Sequence, residues 1–198
     1  YSLANSPGEL GKDILLNVRL ALAKPDTSGV PVGIGSAYLA SLSPGDTLLL
    51  RGPFGDFHID DDDAEIVFIG GGAGIAPLRS MIRDQLSSHG RTSKVSFWYG
   101  ARTQDNIVYK EEFDHLAENC PNFSWHIALS NLGKDDNWTG DRGWIHDIVH
   151  EQYLASHPNV QMCRFYVCGP PAMLEAVLKL LKSLNIPEER VAFDDFGN

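Results

Sequence analysis

Little in this chain of 198 residues suits several common classes of function. There are only three cysteines, Cys120, Cys163 and Cys168, and none is in C-x-x-C spacing. Neither a disulfide framework nor a zinc or iron–sulfur site is expected from them, and a reducing compartment is implied. Positive charge is scarce: 16 Lys and Arg against 26 Asp and Glu give a formal net charge of −10, with no local basic cluster. That balance argues against nucleic acid as a partner. No apolar run approaches the ~20 residues needed to span a bilayer. Neither a signal peptide nor an initiator Met precedes Tyr1, so a piece of a longer chain is expected. A G-x-S-x-G elbow and paired carboxylates are missing too, which demotes hydrolases. Of seven histidines, His146 and His150 stand at i, i+4 without an acidic third ligand. They are expected to be surface or structural, and no metal site is assigned.

What is present is concentrated in Ala64–Arg79, reading AEIVFIGGGAGIAPLR. Glu65–Ile69 is a short, mostly apolar run that suits a strand covered on both faces. Gly70, Gly71, Gly72, Ala73 and Gly74 follow, and Ile75, Leu78, Ile82 and Leu86 then recur at helical spacing. Pro77 fits a first helical turn. Strand, glycine turn and helix start together make an anion site, because free N–H groups and the helix dipole face the approaching group. The pattern departs from strict G-x-G-x-x-G, since Pro77 stands at the third glycine, and no Lys-Ser/Thr pair follows as in a Walker loop.

Residues 1–63 read as β structure, with strand-like runs at Ile14–Leu20 and Thr47–Arg51 between Pro-Gly turns. Gly33-Ile34-Gly35-Ser36 reads as a turn that could also cradle an anion. Asp60–Asp63 reads as a solvated linker. From residue 64 strands and helices alternate: strands at 94–99, 123–129, 164–168 and 190–193, helices at 111–118, 143–154 and 171–184. With the run at 65–69 this predicts an α/β fold, a doubly wound parallel sheet of five strands. Ligands of such sheets lie beyond the carboxyl ends of the strands, where 70–74, 100–103, 130–132 and 168–171 would gather. Phe113, Trp125 and Trp144 are expected to be packing residues. Cys168-Gly169-Pro170-Pro171 ends a strand and opens a helix. Its thiol can face a ligand, merely pack, or serve as a nucleophile.

These parts together resemble the ferredoxin–NADP reductase superfamily, whose members join an antiparallel flavin-binding β-barrel to a parallel nucleotide domain. Tyr1-Ser2 resembles the end of its first flavin motif, with Tyr packing on the flavin and Ser bonding it. Gly35-Ser36 resembles the second, which holds the flavin pyrophosphate. Gly70–Pro77 resembles the nicotinamide nucleotide's pyrophosphate loop, and Cys168-Gly169-Pro170 the nicotinamide-side motif. Further stretches resemble, within that superfamily, the flavoprotein subunits of Na⁺-translocating NADH:quinone reductases. They are Gly52–Gly55, Ser96–Arg102, Asp136–Gly140 and the ending Phe193-Asp194-Asp195-Phe196-Gly197.

The resemblance implies a partial FAD-binding barrel over 1–63 and an NADH-binding α/β domain over 64–198. It implies NADH and FAD as cofactors, with Cys168 beside the nicotinamide and Phe196 over the flavin as catalytic positions. Retention of FAD is in question, because the motif Arg and the early barrel strands lie outside this chain. A [2Fe–2S] domain would also lie outside it and carry electrons onward to quinone. The implied partners are the other subunits of a respiratory complex on the cytoplasmic face of a bacterial inner membrane, this piece itself being soluble. Two alternatives stay open: the reductase component of a bacterial oxygenase, and a nucleotide-binding piece without turnover. Arg102, at the end of the second strand where an NAD site often carries an acid, leaves NADPH open from residues alone.

Overall fold

The computed structural model describes residues 1–20, 33–133 and 137–195. Its frame is one parallel sheet of β1 (Ile66–Gly71), β2 (Val95–Ala101), β3 (Phe123–Leu129), β4 (Asp141–Arg142), β5 (Arg164–Cys168) and β6 (Val191–Asp194), in the order β4-β3-β2-β1-β5-β6. The strands expected at 123–129 and 164–168 have those bounds, and the others are displaced by one or two residues. The expected five strands are six, because β4 adds two residues to the edge of β3. So short a strand has no apolar run to announce it.

Helices cover both faces. α2 (Ile75–Arg83) and α3 (Lys110–Asn119) lie on one side, where Ile75, Leu78, Ile82, Phe97, Phe113 and Tyr99 are fully buried. α4 (Ile145–Gln152) and α5 (Pro171–Ser183) lie on the other, burying Val149, Val177 and Leu181 against Val67, Ile69 and Val167. β1 is buried at all six positions. That accounts for its unbroken apolar run: alternation appears only where one face meets water. Glycine allows one close contact of α2 with the sheet, since a Cβ on Gly70 would lie 2.6 Å from Leu78 Cδ1 and 3.2 Å from Phe97 Cε2.

Residues 1–63 differ from the β reading. Ile14–Leu20 and Thr47–Arg51 form no strand; among the described residues the segment's one β-bridge joins Leu3 to Leu16. Leu49 is 88% exposed, so that run has no sheet to bury it. Gly33–Ser36, read as a turn, opens α1 (Ile34–Ser41) instead. The acidic run is also docked rather than free: Asp60 and Asp62 pair with Arg164 at 2.9 and 2.8 Å. Trp144, expected to pack, is 61% exposed just before α4.

The N-terminal segment is fastened to α2 through a buried ion cluster. Arg79 bonds Glu9 at 2.7 Å, Glu112 at 2.8 Å and the Ala4 carbonyl at 2.5 Å, and lies 5.0 Å over the Tyr109 ring. Ser80 Oγ donates to the Asn5 carbonyl at 2.8 Å. A guanidinium has five donors in a rigid fork, which is why one Arg can bind three acceptors in this space.

Candidate functional site

The strand order reverses between β1 and β5: β2, β3 and β4 lie to one side of β1, β5 and β6 to the other. A crevice opens at such a point because the two following turns leave in opposite directions. Register places Gly70 beside Cys168 and Gly71 beside Gly100. The glycine turn and the Cys-Gly-Pro turn therefore meet at one edge.

Their contact is tight. A Cβ on Gly74 would lie 2.1 Å from the Cys168 carbonyl oxygen, and one on Gly169 would lie 3.1 Å from Gly71 N. Met173, from the first turn of α5, fills the notch, its sulfur 2.7 Å from where a Gly71 Cβ would be. Gly72 is different: φ is +54°, and an added Cβ would meet only Pro170 Cγ at 3.9 Å. Its outer side is thus open for a ligand to approach the backbone. α2 starts immediately after, and no side chain caps it. A helix N-terminus leaves N–H groups unsatisfied and carries partial positive charge, so the donor set suits a pyrophosphate.

Sequence reasoning did not single out Tyr99. It is fully buried on β2, and its hydroxyl reaches the Gly72 carbonyl at 3.3 Å and the Asn106 carbonyl at 3.4 Å. Burial pushes its pKa up to about 12, so it remains a donor holding the turn. An aromatic with a polar tip in a buried strand was the available signal.

Cys168 is fully buried among Phe97, Tyr99 and Tyr166. Burial, followed by the charges of Asp194 and Asp195, pushes its thiol well above the ordinary range. At neutral pH it stays protonated, which disfavours a thiolate nucleophile. Pro170 is exposed at the rim, and Arg102 is exposed beyond β2.

A second group of expected residues gathers on a neighbouring cleft of about 1630 Å³, lined by Tyr1, Ser2, Gly35, Tyr38, Phe54, Pro77, Phe193 and Asp194 among others. The Tyr1 hydroxyl lies 3.0 Å from where a Gly35 Cβ would be, and Ser2 Oγ donates to Asp194 Oδ2 at 3.5 Å. Asp194 is the register partner of Cys168, so cleft and crevice adjoin at the ends of β5 and β6. The cleft exceeds the ~300–1,000 Å³ usual for ligand sites. Ser36 is buried in α1, with Oγ donating to the Gly33 carbonyl at 3.1 Å. Phe196 lies outside the described residues.

A family model for the oxidoreductase NAD-binding domain matches residues 68–179. The chain belongs to the oxidoreductase NAD-binding domain family. The superfamily resemblance read from its motifs therefore holds. Over 197 residues it is 52% identical to a Klebsiella pneumoniae protein named as a subunit of Na⁺-translocating NADH-quinone reductase, covering 100% of this chain and 48% of that one. The chain thus spans about half the length of the curated relatives it matches. Among solved structures it is similar to an Amycolatopsis cytochrome P450 reductase, with 31% identity, a TM-score of 0.64, and coverage of 73% of this chain and 42% of that one. The cytochrome b5 reductase domain of Ulva prolifera nitrate reductase shares the fold at a TM-score of 0.70 and 24% identity, over 82% of this chain and 66% of that one. Among the described residues no helix is long and apolar enough to cross a membrane.

Proposed function

We propose that this chain is the coenzyme-binding part of an NADH-oxidising flavoprotein, with residues 1–63 serving a flavin and 64–198 serving NADH. The observation that carries the reading is the register of Gly70 with Cys168 at the reversal of strand order. The turns after β1 and β5 would hold the coenzyme between them: N–H groups of the glycine turn bind its pyrophosphate, and the Cys168–Pro170 turn borders its reactive end. Tyr1, Ser2, Gly35 and Ser36 would hold the flavin, and Phe196 would cover it. FAD, when bound, supplies the capacity to take two electrons from NADH together and release them singly. The residues position and shield the reactants, which is where the protein's share of the rate arises. The relatives' name supports delivery of electrons to a Na⁺-translocating quinone reductase, and the superfamily resemblance would route them through a [2Fe–2S] domain elsewhere in the parent protein. The likeness to a P450 reductase supports the second reading, a soluble oxygenase partner.

The direct test is to supply FAD to the purified chain and add NADH without oxygen. A yellow sample bleached by NADH is expected; failure to bind either cofactor would overturn the reading. Comparing kcat/KM for NADH and NADPH is expected to favour NADH despite the exposed Arg102, and an NADPH preference would reverse that assignment.

Two substitutions refine it in the flavin-loaded protein. Gly72→Val places a side chain on the open face of the cradle at φ +54°. A hydrogen bond to a charged group is worth ~1.5–3 kcal/mol, so KM for NADH should rise roughly 10- to 100-fold with flavin content unchanged. Unaltered NADH kinetics would mean that the pyrophosphate lies elsewhere. Cys168→Ala removes volume beside the reaction without removing a nucleophile. Stopped-flow flavin reduction should slow on the order of 100-fold through loosened geometry. An unchanged rate would reduce Cys168 to packing, and complete loss in the variant together with an adduct trapped in the wild type would make it covalent.

A further inference from the structure

We infer that Glu65, His157 and Cys163 form a Zn²⁺ site at the opposite end of the sheet from the glycine turn. Glu65 immediately precedes β1 and Cys163 precedes β5, and the Arg164 N–H donates to the Glu65 carbonyl at 2.8 Å, so their backbones are held side by side. His157 follows α4 on a tight turn, its side chain only 10% exposed. The three donor atoms all lie within 4.8 Å of one another. His157 Nε2 is 3.1 Å from Glu65 Oε2 and 3.9 Å from Cys163 Sγ. Zinc–ligand bonds of ~2.0–2.3 Å in a tetrahedron put ligand atoms about 3.3–3.6 Å apart, so the two His157 pairs fit with shifts of a few tenths of an ångström, and Glu65 and Cys163, within 4.8 Å, close in by roughly 1 Å at most through side-chain rotation.

The chemistry of the donors selects the ion. Thiol, imidazole and carboxylate together suit zinc, whereas Mg²⁺ and Ca²⁺ take oxygen ligands. The other Glu65 oxygen is already occupied: the Tyr153 hydroxyl donates to Oε1, and Lys94 Nζ lies 3.8 Å away. Oε2 is therefore oriented toward His157, the kind of outer support that ligating carboxylates have. A cavity of about 460 Å³ borders all three residues and leaves a fourth position for water. The Asn159 N–H now donates to His157 Nδ1 at 3.2 Å. Binding at Nε2 moves the ring proton to Nδ1, so Asn159, which is exposed, must turn that N–H to solvent. The ion would tie the start of β1 to the start of β5 and to the end of α4, a structural clamp remote from the coenzyme crevice. This inference does not depend on the proposed function.

The test uses the whole 198-residue chain, stripped with a chelator and titrated with Zn²⁺ against a chromophoric competitor, with Co²⁺ as the spectroscopic probe. One ion per chain, a higher melting temperature with Zn²⁺ and a thiolate-to-cobalt charge-transfer band are expected. Cys163→Ser should abolish the band, His157→Gln should weaken affinity about 10-fold or more, and Cys120→Ser should change neither. If Cys163→Ser fails to fold by circular dichroism, His157→Gln carries the decision. Absence of stoichiometric binding, or a charge-transfer band that survives Cys163→Ser, would overturn the inference.

Discussion

Replacing Gly74 with alanine is expected to cost about 3 kcal/mol or more of folding stability and to abolish coenzyme binding. The methyl group would lie 2.1 Å from the Cys168 oxygen and 2.4 Å from its carbonyl carbon. Those are backbone atoms of a buried strand, hydrogen-bonded in the sheet, and cannot turn aside as a side chain can. Either α2 moves off β5 or the end of β5 leaves its register, and both routes open the crevice. Gly8 is the control, because its φ is +78° but nothing lies within 4 Å. There alanine should cost only the left-handed strain of ~1–2 kcal/mol. Urea unfolding of the two variants measures the difference. Equal midpoints would show that α2 and β5 can separate at little cost.

Arg79→Met should cost about 3–5 kcal/mol, the usual penalty for removing one partner of a buried ion pair. Glu9 and Glu112 would then share a pocket with only the more distant Arg83, 3.6 and 3.4 Å away, as counter-charge. Burial by itself would raise the Glu9 pKa, but hydrogen bonds from Arg79 and the Ser6 N–H and the charges of Arg79 and Arg83 hold it below its ordinary value. A carboxylate held low contributes stability that is complete above its unfolded pKa and is lost as pH falls through the folded one. The wild-type chain should therefore lose stability on acidification, and Arg79→Met should lose less, or gain, over the same range. Arg79→Lys should rescue only in part, since an ammonium cannot bond both carboxylates and the Ala4 carbonyl in this fixed geometry. Parallel pH profiles for wild type and Arg79→Met would mean that the cluster contributes nothing to the acid response.

The sheet was legible because its central strands β1, β2 and β5 are buried almost throughout and end in glycine or polar turns; Phe123–Leu129 and Arg164–Cys168 needed no adjustment. Residues 1–63 were not. β-propensity in Thr47–Arg51 is realised only when a neighbouring strand completes the ladder, and Leu49 has none to pack on. α1 was obscured by Gly33 and Gly35, which read as a turn although the chain continues helically from Ile34. The crevice could be foreseen from glycine chemistry, whereas Met173 in its notch and Tyr99 behind it required the packing. The cluster of Glu65, His157 and Cys163 was hidden for another reason: its members are up to 98 positions apart, and only the parallel register brings them together.

The hold of Arg79 on Glu9 has a consequence for recombination. The chain before residue 64 and the chain after it look interchangeable on paper, joined by a polar run that invites a splice. Yet α2 offers a guanidinium shaped for one particular carboxylate, and Ser80 offers a hydroxyl to the Asn5 carbonyl. A chimera with a foreign front half would leave that buried guanidinium with Glu112 alone, half of its fork unfilled. Exchange is expected to succeed only when the incoming half carries an acid at the place of Glu9, or when Arg79 is exchanged along with it.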